Sequence, residues 1–296
     1  MKTIDSFNRL CDYVSQLVKS PTRGVNRKEK VMAFPGKAPR PVLPAAGDPI
    51  RIVPLHLPVE LTAPTKDAGP LPAPQLTYRG GPLLANVKVF TIFWGAAWQK
   101  SPQLDLAKNL NQFFDFVLTS SLIDQLAEYD TPHYSIKHGK HIGSATIAHP
   151  VSGHHVTDSG IRHFLQQELS TNPSLPAPDA NTIYFIYTAP GVQVVQGGAR
   201  SCQAFCGYHD AINSQIFYAA MPYAGCSGCT GGLSVLDAMT STSSHELCEA
   251  ITDAVPGQGW YDDANGEIGD ICAWKTKGVG AYSVQLEWSN KANKCI

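Results

Sequence analysis

Thr182-Ile183-Tyr184-Phe185-Ile186-Tyr187-Thr188 is the stretch that decides the fold. A run of β-branched and aromatic residues with no charge and no turn former reads as a strand covered on both faces. Such a strand needs neighbours of its own kind. Val87-Lys88-Val89-Phe90-Thr91-Ile92-Phe93-Trp94 is one and Ile216 to Ala220 another, while Tyr134 to Ile136, Ala145 to Ala148 and Tyr282 to Leu286 read as shorter strands. Leu104 to Leu126 carries apolar residues at helical spacing and gives one broken or two consecutive helices. Thr157 and Asp158 cap a helix running to about Leu169, and a further helix spans about Ser234 to Ile251. Strands and helices interleave irregularly, so residues 76–296 are expected to form one α+β domain with a mixed sheet.

Residues 1–75 differ in character. Ile4, Phe7, Leu10, Val14, Leu17 and Val18 recur near helical spacing and predict a short amphipathic helix over residues 3–19. From Pro21 to about Pro74 prolines crowd the chain, which disfavours helices and interior strands. That stretch reads as an extended linker, a strap over the domain or a removable pro-segment.

The 296 residues are 43% hydrophobic and carry a formal net charge of -1, with no long run of either sign. A nucleic-acid binder would show a basic stripe, so nucleic acid is not an expected partner. No apolar run approaches the roughly eighteen residues of a membrane-spanning helix. The start, Met1-Lys2-Thr3-Ile4-Asp5-Ser6-Phe7, lacks the charged, apolar and small-residue regions of a secretory signal. Seven of the eight cysteines nevertheless fall between Cys202 and Cys295, a usage that points to an oxidising, extracellular setting.

The chemistry concentrates in Ser244-His245-Glu246-Leu247-Cys248-Glu249. His245 to Glu249 fits H-E-x-x-E, a variant of the H-E-x-x-H zinc signature. Four residues advance a helix by about 400°, so His245 and Glu249 share a face and can grip one cation. Glu246 is offset by about 100°, where it can act as general base on water without being a ligand. Leu247 then faces the core. A third ligand is needed, and Glu267 is the best supplier because Gly266 and Gly269 let the backbone present it. Asp270 competes for that place or orients His245 from behind, and Asp253 either binds the ion or caps the turn that follows the helix.

The run Ser241-Thr242-Ser243-Ser244 is a poor helix former that a sequence selected only for stability would avoid. Glu246, Glu249 and Asp253 crowd one helix without a Lys or Arg, and a cation would relieve their repulsion. Zinc is the first expectation for the ion. The oxygen-rich donor set also suits Mn2+ or Ca2+.

Cys202, Cys206, Cys226 and Cys229 form two close pairs that suit a four-cysteine zinc site, two local disulfides or a crossed pair of disulfides. Disulfides are favoured, because Cys272 and Cys295 also look like partners that close the tail. Cys248 reads as a small buried hydrophobe.

Tyr78-Arg79-Gly80-Gly81-Pro82 before a hydrophobic strand ending in Trp94 resembles the start of the EXORDIUM-like, phosphate-induced proteins of plants. So does Cys202-x-x-x-Cys206-Gly207-Tyr208-His209 with the later Cys226/Cys229 pair. Thr252-Asp253 with Trp260-Tyr261, and Glu267 ahead of Cys272, look like later segments of that family. The resemblance covers most of residues 78–296, and the chain looks like a microbial relative carrying a zincin-like helix. It implies an extracellular, growth-related protein. Taken together, the expectation is a zincin-like metallopeptidase acting on peptides or proteins. His245, Glu249 and Glu267 would hold the ion, Glu246 would be the base, and His209 would steady a developing oxyanion. The competing expectation is a non-catalytic extracellular or cell-wall interaction protein with a structural metal or none.

Overall fold

In the computed structural model, residues 53–54, 72–151 and 153–296 are described. The helix expected over 3–19 and most of the proline-rich stretch lie outside them. The core strand of the sequence reading, β6 (Thr182–Thr188), is buried along its whole length in the middle of a six-stranded sheet. Strand β3 (Lys88–Trp94) pairs parallel with it on one side and β10 (Ile216–Met221) on the other. Beyond β3 lies β4 (Lys140–Ile147), also parallel. Beyond β10 lies β9 (Phe205–Ile212), antiparallel, and β1 (Val53–Pro54) adds antiparallel to its outer edge. The sheet is thus mixed, with a parallel centre and one antiparallel flank.

Both faces of this sheet are covered, and for that reason its central strands read as continuous apolar runs. Val89, Phe93, Ile183, Phe185 and Tyr187 point to one core. Phe90, Ile92, Trp94, Tyr184 and Ile186 point to the other. The first core is closed by helix α1 (Gln103–Val117), the short α2 (Ser121–Asp124) and the long C-terminal helix of the domain. The second is closed by α3 (Asp158–Thr171), whose N-cap Thr157 accepts from Gly160 N. The expected break in the helix over 104–126 is real. Its cause is Ser120, which ends one helix and caps the next by accepting from Leu122 N.

A one-turn helix, α4 (Ser227–Thr230), precedes the long helix, α5 (Val235–Thr252), which starts at the N-cap Ser234. From Ala238 to Thr252 every residue of α5 is buried, including the whole Thr240–Ser244 run. Three of the small hydroxyls on this helix bond to the layers around it, while Ser241 Oγ and Thr242 Oγ1 are buried without a hydrogen bond. Ser243 meets Tyr187 Oη at 2.7 Å, Thr240 donates to Ser283 O at 2.7 Å, and Ser244 Oγ accepts from Gln285 N at 2.9 Å. Propensity is overridden here by tertiary bonding.

One sequence reading of local structure needs correction. Tyr134–Ile136 is not a strand; Asp130 accepts from Ile136 N, and the segment is a turn-stabilised loop. The cysteines form the disulfides that the sequence reading favoured over a four-cysteine zinc site. Cys202 is bonded to Cys226, Cys206 to Cys229 and Cys272 to Cys295, so the two close pairs cross-link to each other. Each bridge closes a loop of 23 or 24 residues, for which chain entropy lost from the unfolded state gives about 3 kcal/mol. Cys248 is a buried free thiol. Among the described residues no helix is long and apolar enough to cross a membrane.

Candidate metal centre

Helix α5 presents His245, Glu246 and Glu249 on the side that meets β9 and the turn-rich segment after Trp260. Each of these partners contributes. From β9 comes His209, two residues after Gly207, where a side chain would collide with Thr242 Cγ2 at 2.8 Å and Glu246 Oε1 at 3.1 Å. Glycine is therefore what lets β9 lie flat on the helix at this point. Period-two alternation sends Tyr208 and Asp210 to the opposite face, where Tyr208 Oη donates to Asp158 at 2.8 Å and Asp210 pairs with Arg162, both on α3. His209 is thus fixed from behind.

The segment after the helix contributes Glu267 and Asp270. It is folded back by Asp253, whose carboxylate accepts from the backbone N–H groups of Gly257, Gln258 and Gly259. Asp253 therefore caps the turn and lies outside the ligand groupings described below. A two-stranded ribbon, β11 (Trp260–Tyr261) with β2 (Thr77–Tyr78), anchors the segment further. Gly269 then passes so close to the helix that a methyl group there would stand 2.8 Å from His245 Nδ1 and 2.9 Å from Glu249 Oε1.

The histidines and glutamates of the resulting cluster are enclosed, and Asp270 at its edge is half-buried. His209, His245, Glu246, Glu249 and Glu267 are each at most 1% exposed. Two groupings bring ligand atoms within 4.8 Å of one another: His209, Glu249 and Glu267 in one, and His245, Glu249 and Asp270 in the other. Glu249 belongs to both. The trio expected from the sequence, His245, Glu249 and Glu267, is divided between them, with His209 and Asp270 completing the sets.

The two imidazoles are held differently. His209 Nε2 donates to Asp253 O at 3.1 Å, and its Nδ1 faces Glu246 Oε2 at 3.2 Å and Glu249 Oε2 at 3.5 Å. A ring that gives one N–H to a backbone carbonyl and turns the other nitrogen into a carboxylate cluster is oriented as metal-binding histidines commonly are. His245 Nε2 faces Glu249 Oε1 at 2.9 Å as an ion pair, with no other hydrogen-bond partner. Its Nδ1 meets the amide of Gln285, a residue that the sequence reading did not single out. Trp274 N donates to Gln285 Oε1 while Gln285 Nε2 donates to Gly269 O, so a second amide N–H is directed at His245 Nδ1. That contact favours the proton on Nε2, and a cation bound there would replace it.

Charge balance in the protein alone is poor. Glu267 has both oxygens buried without a hydrogen-bond partner, and Glu246 Oε1 is in the same position. Burial and the nearby Glu249 charge push the Glu267 carboxyl well above its usual range, and burial raises Glu246. Burial alone would lower His209, but Glu267, Glu246 and Glu249 outweigh it and hold the ring well above its ordinary value. Glu249 is likewise buried, but His245 and His209 beside it bring its carboxyl down to about 2. Compared with family models, with curated proteins and with solved structures, the chain matches none of them.

Proposed function

We propose that this protein is a metal-dependent hydrolase of peptide bonds, and that the enclosed cluster on α5 is its catalytic centre. The observation that carries the reading is the convergence of buried ligand-type atoms that make no hydrogen bond, namely His245 Nε2, Glu246 Oε1 and both oxygens of Glu267, around the carboxylate of Glu249. His245 Nε2 faces Glu249, and Glu267 Oε1 faces His209, only as ion pairs. Leaving such groups without hydrogen bonds in a dry interior is costly, and a divalent cation satisfies them together. Donors of one imidazole nitrogen and two carboxylate oxygens suit zinc first and manganese next. Glu249 holds the ion with a histidine and a second carboxylate drawn from the two groupings.

A divalent cation in such a site polarises a carbonyl and acidifies water. The protein supplies the rest. Glu246, with its pKa raised by burial, is placed to take a proton from water and return it to the leaving amine. His209 already donates through Nε2 to Asp253 O, so Nδ1, beside Glu246 and Glu249, is the nitrogen that would bind an ion. Three disulfides are what a protein working outside the cell commonly carries, and they support an extracellular setting. The zincin-like and EXORDIUM-like readings belong to this proposal, supported by the mixed sheet and the helix that carries the motif.

One observation favours a second reading, a non-catalytic protein with a structural ion. With exposures of 0–1% at the cluster, a peptide reaches Glu246 only if its cover moves. The deciding test compares zinc-loaded protein with its Glu246→Gln variant on denatured casein or a peptide library. Cleavage by the former, reduced at least about 100-fold in a variant that still binds the ion, supports the enzyme. Ion binding without turnover in either overturns it in favour of the structural ion.

A further inference from the structure

The two groupings have only the Glu249 carboxylate in common. We infer that this centre binds a pair of divalent cations bridged by the Glu249 carboxylate. Its oxygens point to different partners, Oε1 to His245 Nε2 at 2.9 Å and Oε2 to His209 Nδ1 at 3.5 Å. Each oxygen therefore already serves a set of its own, with Asp270 completing the first and Glu267 the second. A carboxylate used in this way is the ordinary bridge of paired-ion hydrolytic sites, whose cations sit about 3.5–4 Å apart.

Charge supports the count. Glu246, Glu249, Glu267, Asp253 and Asp270 gather around two imidazoles together with the buried Glu287, which interacts with His245 and Glu249. The ion pairs of Glu246, Glu249 and Glu267 are with histidine alone among the described residues. One divalent ion neutralises a third of these six carboxylates. Two leave two over, of which Asp253 is already held by three backbone N–H groups. The independent sign of missing ligands is that Glu267 Oε1 and Oε2 in one set and His245 Nε2 in the other are buried without a hydrogen bond, His245 Nε2 and Glu267 Oε1 meeting only ion-pair neighbours. A single ion in either set leaves these atoms of the other unmet. The donor chemistry of each set, one nitrogen and two oxygens, suits zinc or manganese in both positions.

This inference deepens the hydrolase reading of the same site, yet its test is independent of turnover. Full-length protein is stripped with chelator, reloaded with Mn2+ or Zn2+, and assayed for bound metal per chain by elemental analysis and titration calorimetry. Two equivalents are expected, and the manganese form should show the spin-coupled paramagnetic resonance spectrum of two neighbouring ions. Asp270→Asn and Glu267→Gln should each keep one equivalent and lose the coupled signal. One equivalent in the unmodified protein, or an uncoupled manganese spectrum at full loading, overturns the pair, and neither readout depends on a variant folding. One ion with peptide cleavage would overturn the pair and leave the hydrolase standing. Two ions without cleavage would uphold the pair and remove the hydrolase.

Discussion

Gly269 packs its backbone against the imidazole of His245, leaving no room for a side chain: a methyl group would stand 2.8 Å from Nδ1. The segment that delivers Glu267 and Asp270 can thus approach α5 only through glycine. Gly269→Ala should cost about 1–3 kcal/mol by overpacking and weaken ion binding as well. Gly278→Ala, where nothing lies within 4 Å, is the control and should leave the unfolding midpoint nearly unchanged. Equal midpoints for the two variants in urea unfolding would contradict this packing.

The turn behind the cluster depends on Asp253. Asp253→Ala strands three backbone N–H groups at Gly257, Gln258 and Gly259, a loss of about 2–3 kcal/mol for bonds to a charged acceptor. Because Asp253 acts as a cap, the loss should be the same with and without chelator. A loss seen only in the ion-loaded protein would make Asp253 a ligand instead.

In the ion-free protein, stability should fall as pH rises from about 5 to 8. Burial pushes Asp253 up to about 6. Burial likewise raises Glu267 and Glu287 well above the carboxylate range, while neighbouring carboxylates, against burial, raise the two histidines. A group with a raised folded pKa binds its proton more tightly when native. Its stabilisation is complete below the unfolded value and is lost as pH climbs through the folded one. Glu249, brought down to about 2, acts in the opposite sense, but only as pH falls below the ordinary glutamate range. Urea unfolding in chelator across this range provides the check, and stability rising with pH would contradict the charge arrangement. Added zinc should flatten or reverse the slope, since it binds the deprotonated ligands.

Peptide mapping without reduction should recover Cys202–Cys226, Cys206–Cys229 and Cys272–Cys295. Replacing Cys206 and Cys229 together by serine should cost about 3 kcal/mol. Local bridges between Cys202 and Cys206 would contradict the crossed arrangement. Cys248, fully buried with its thiol pKa raised by that burial, should react with thiol reagents only after unfolding.

Much of this was legible in the sequence because it is written in periodicity. The strands at Thr182–Thr188 and Lys88–Trp94 are continuous apolar runs, and the helix over Val235–Thr252 begins at a serine cap. The motif face of that helix followed from the i, i+4 rule, and Leu247 is indeed in the core. What sequence reasoning missed was β9. Phe205–Ile212 includes Gly207, His209 and Asp210, which do not read as a strand; the glycine is there for close approach and the polar residues for partners far along the chain. With β9 unseen, His209 could be placed only as a candidate electrophile, and its company with Glu249 and Glu267 was hidden. Gln285 was hidden likewise, since an amide oriented by Trp274 N and Gly269 O leaves no local pattern. The enclosure of the cluster is a tertiary property and has no sequence signature.

The most direct measurement is anomalous diffraction at the zinc or manganese edge from crystals of the full chain grown with that ion. The account predicts anomalous density against the Glu249 carboxylate, within coordination distance of an imidazole and a second carboxylate of the cluster. No density there at saturating ion, with both oxygens of Glu267 still without a hydrogen bond, would contradict it.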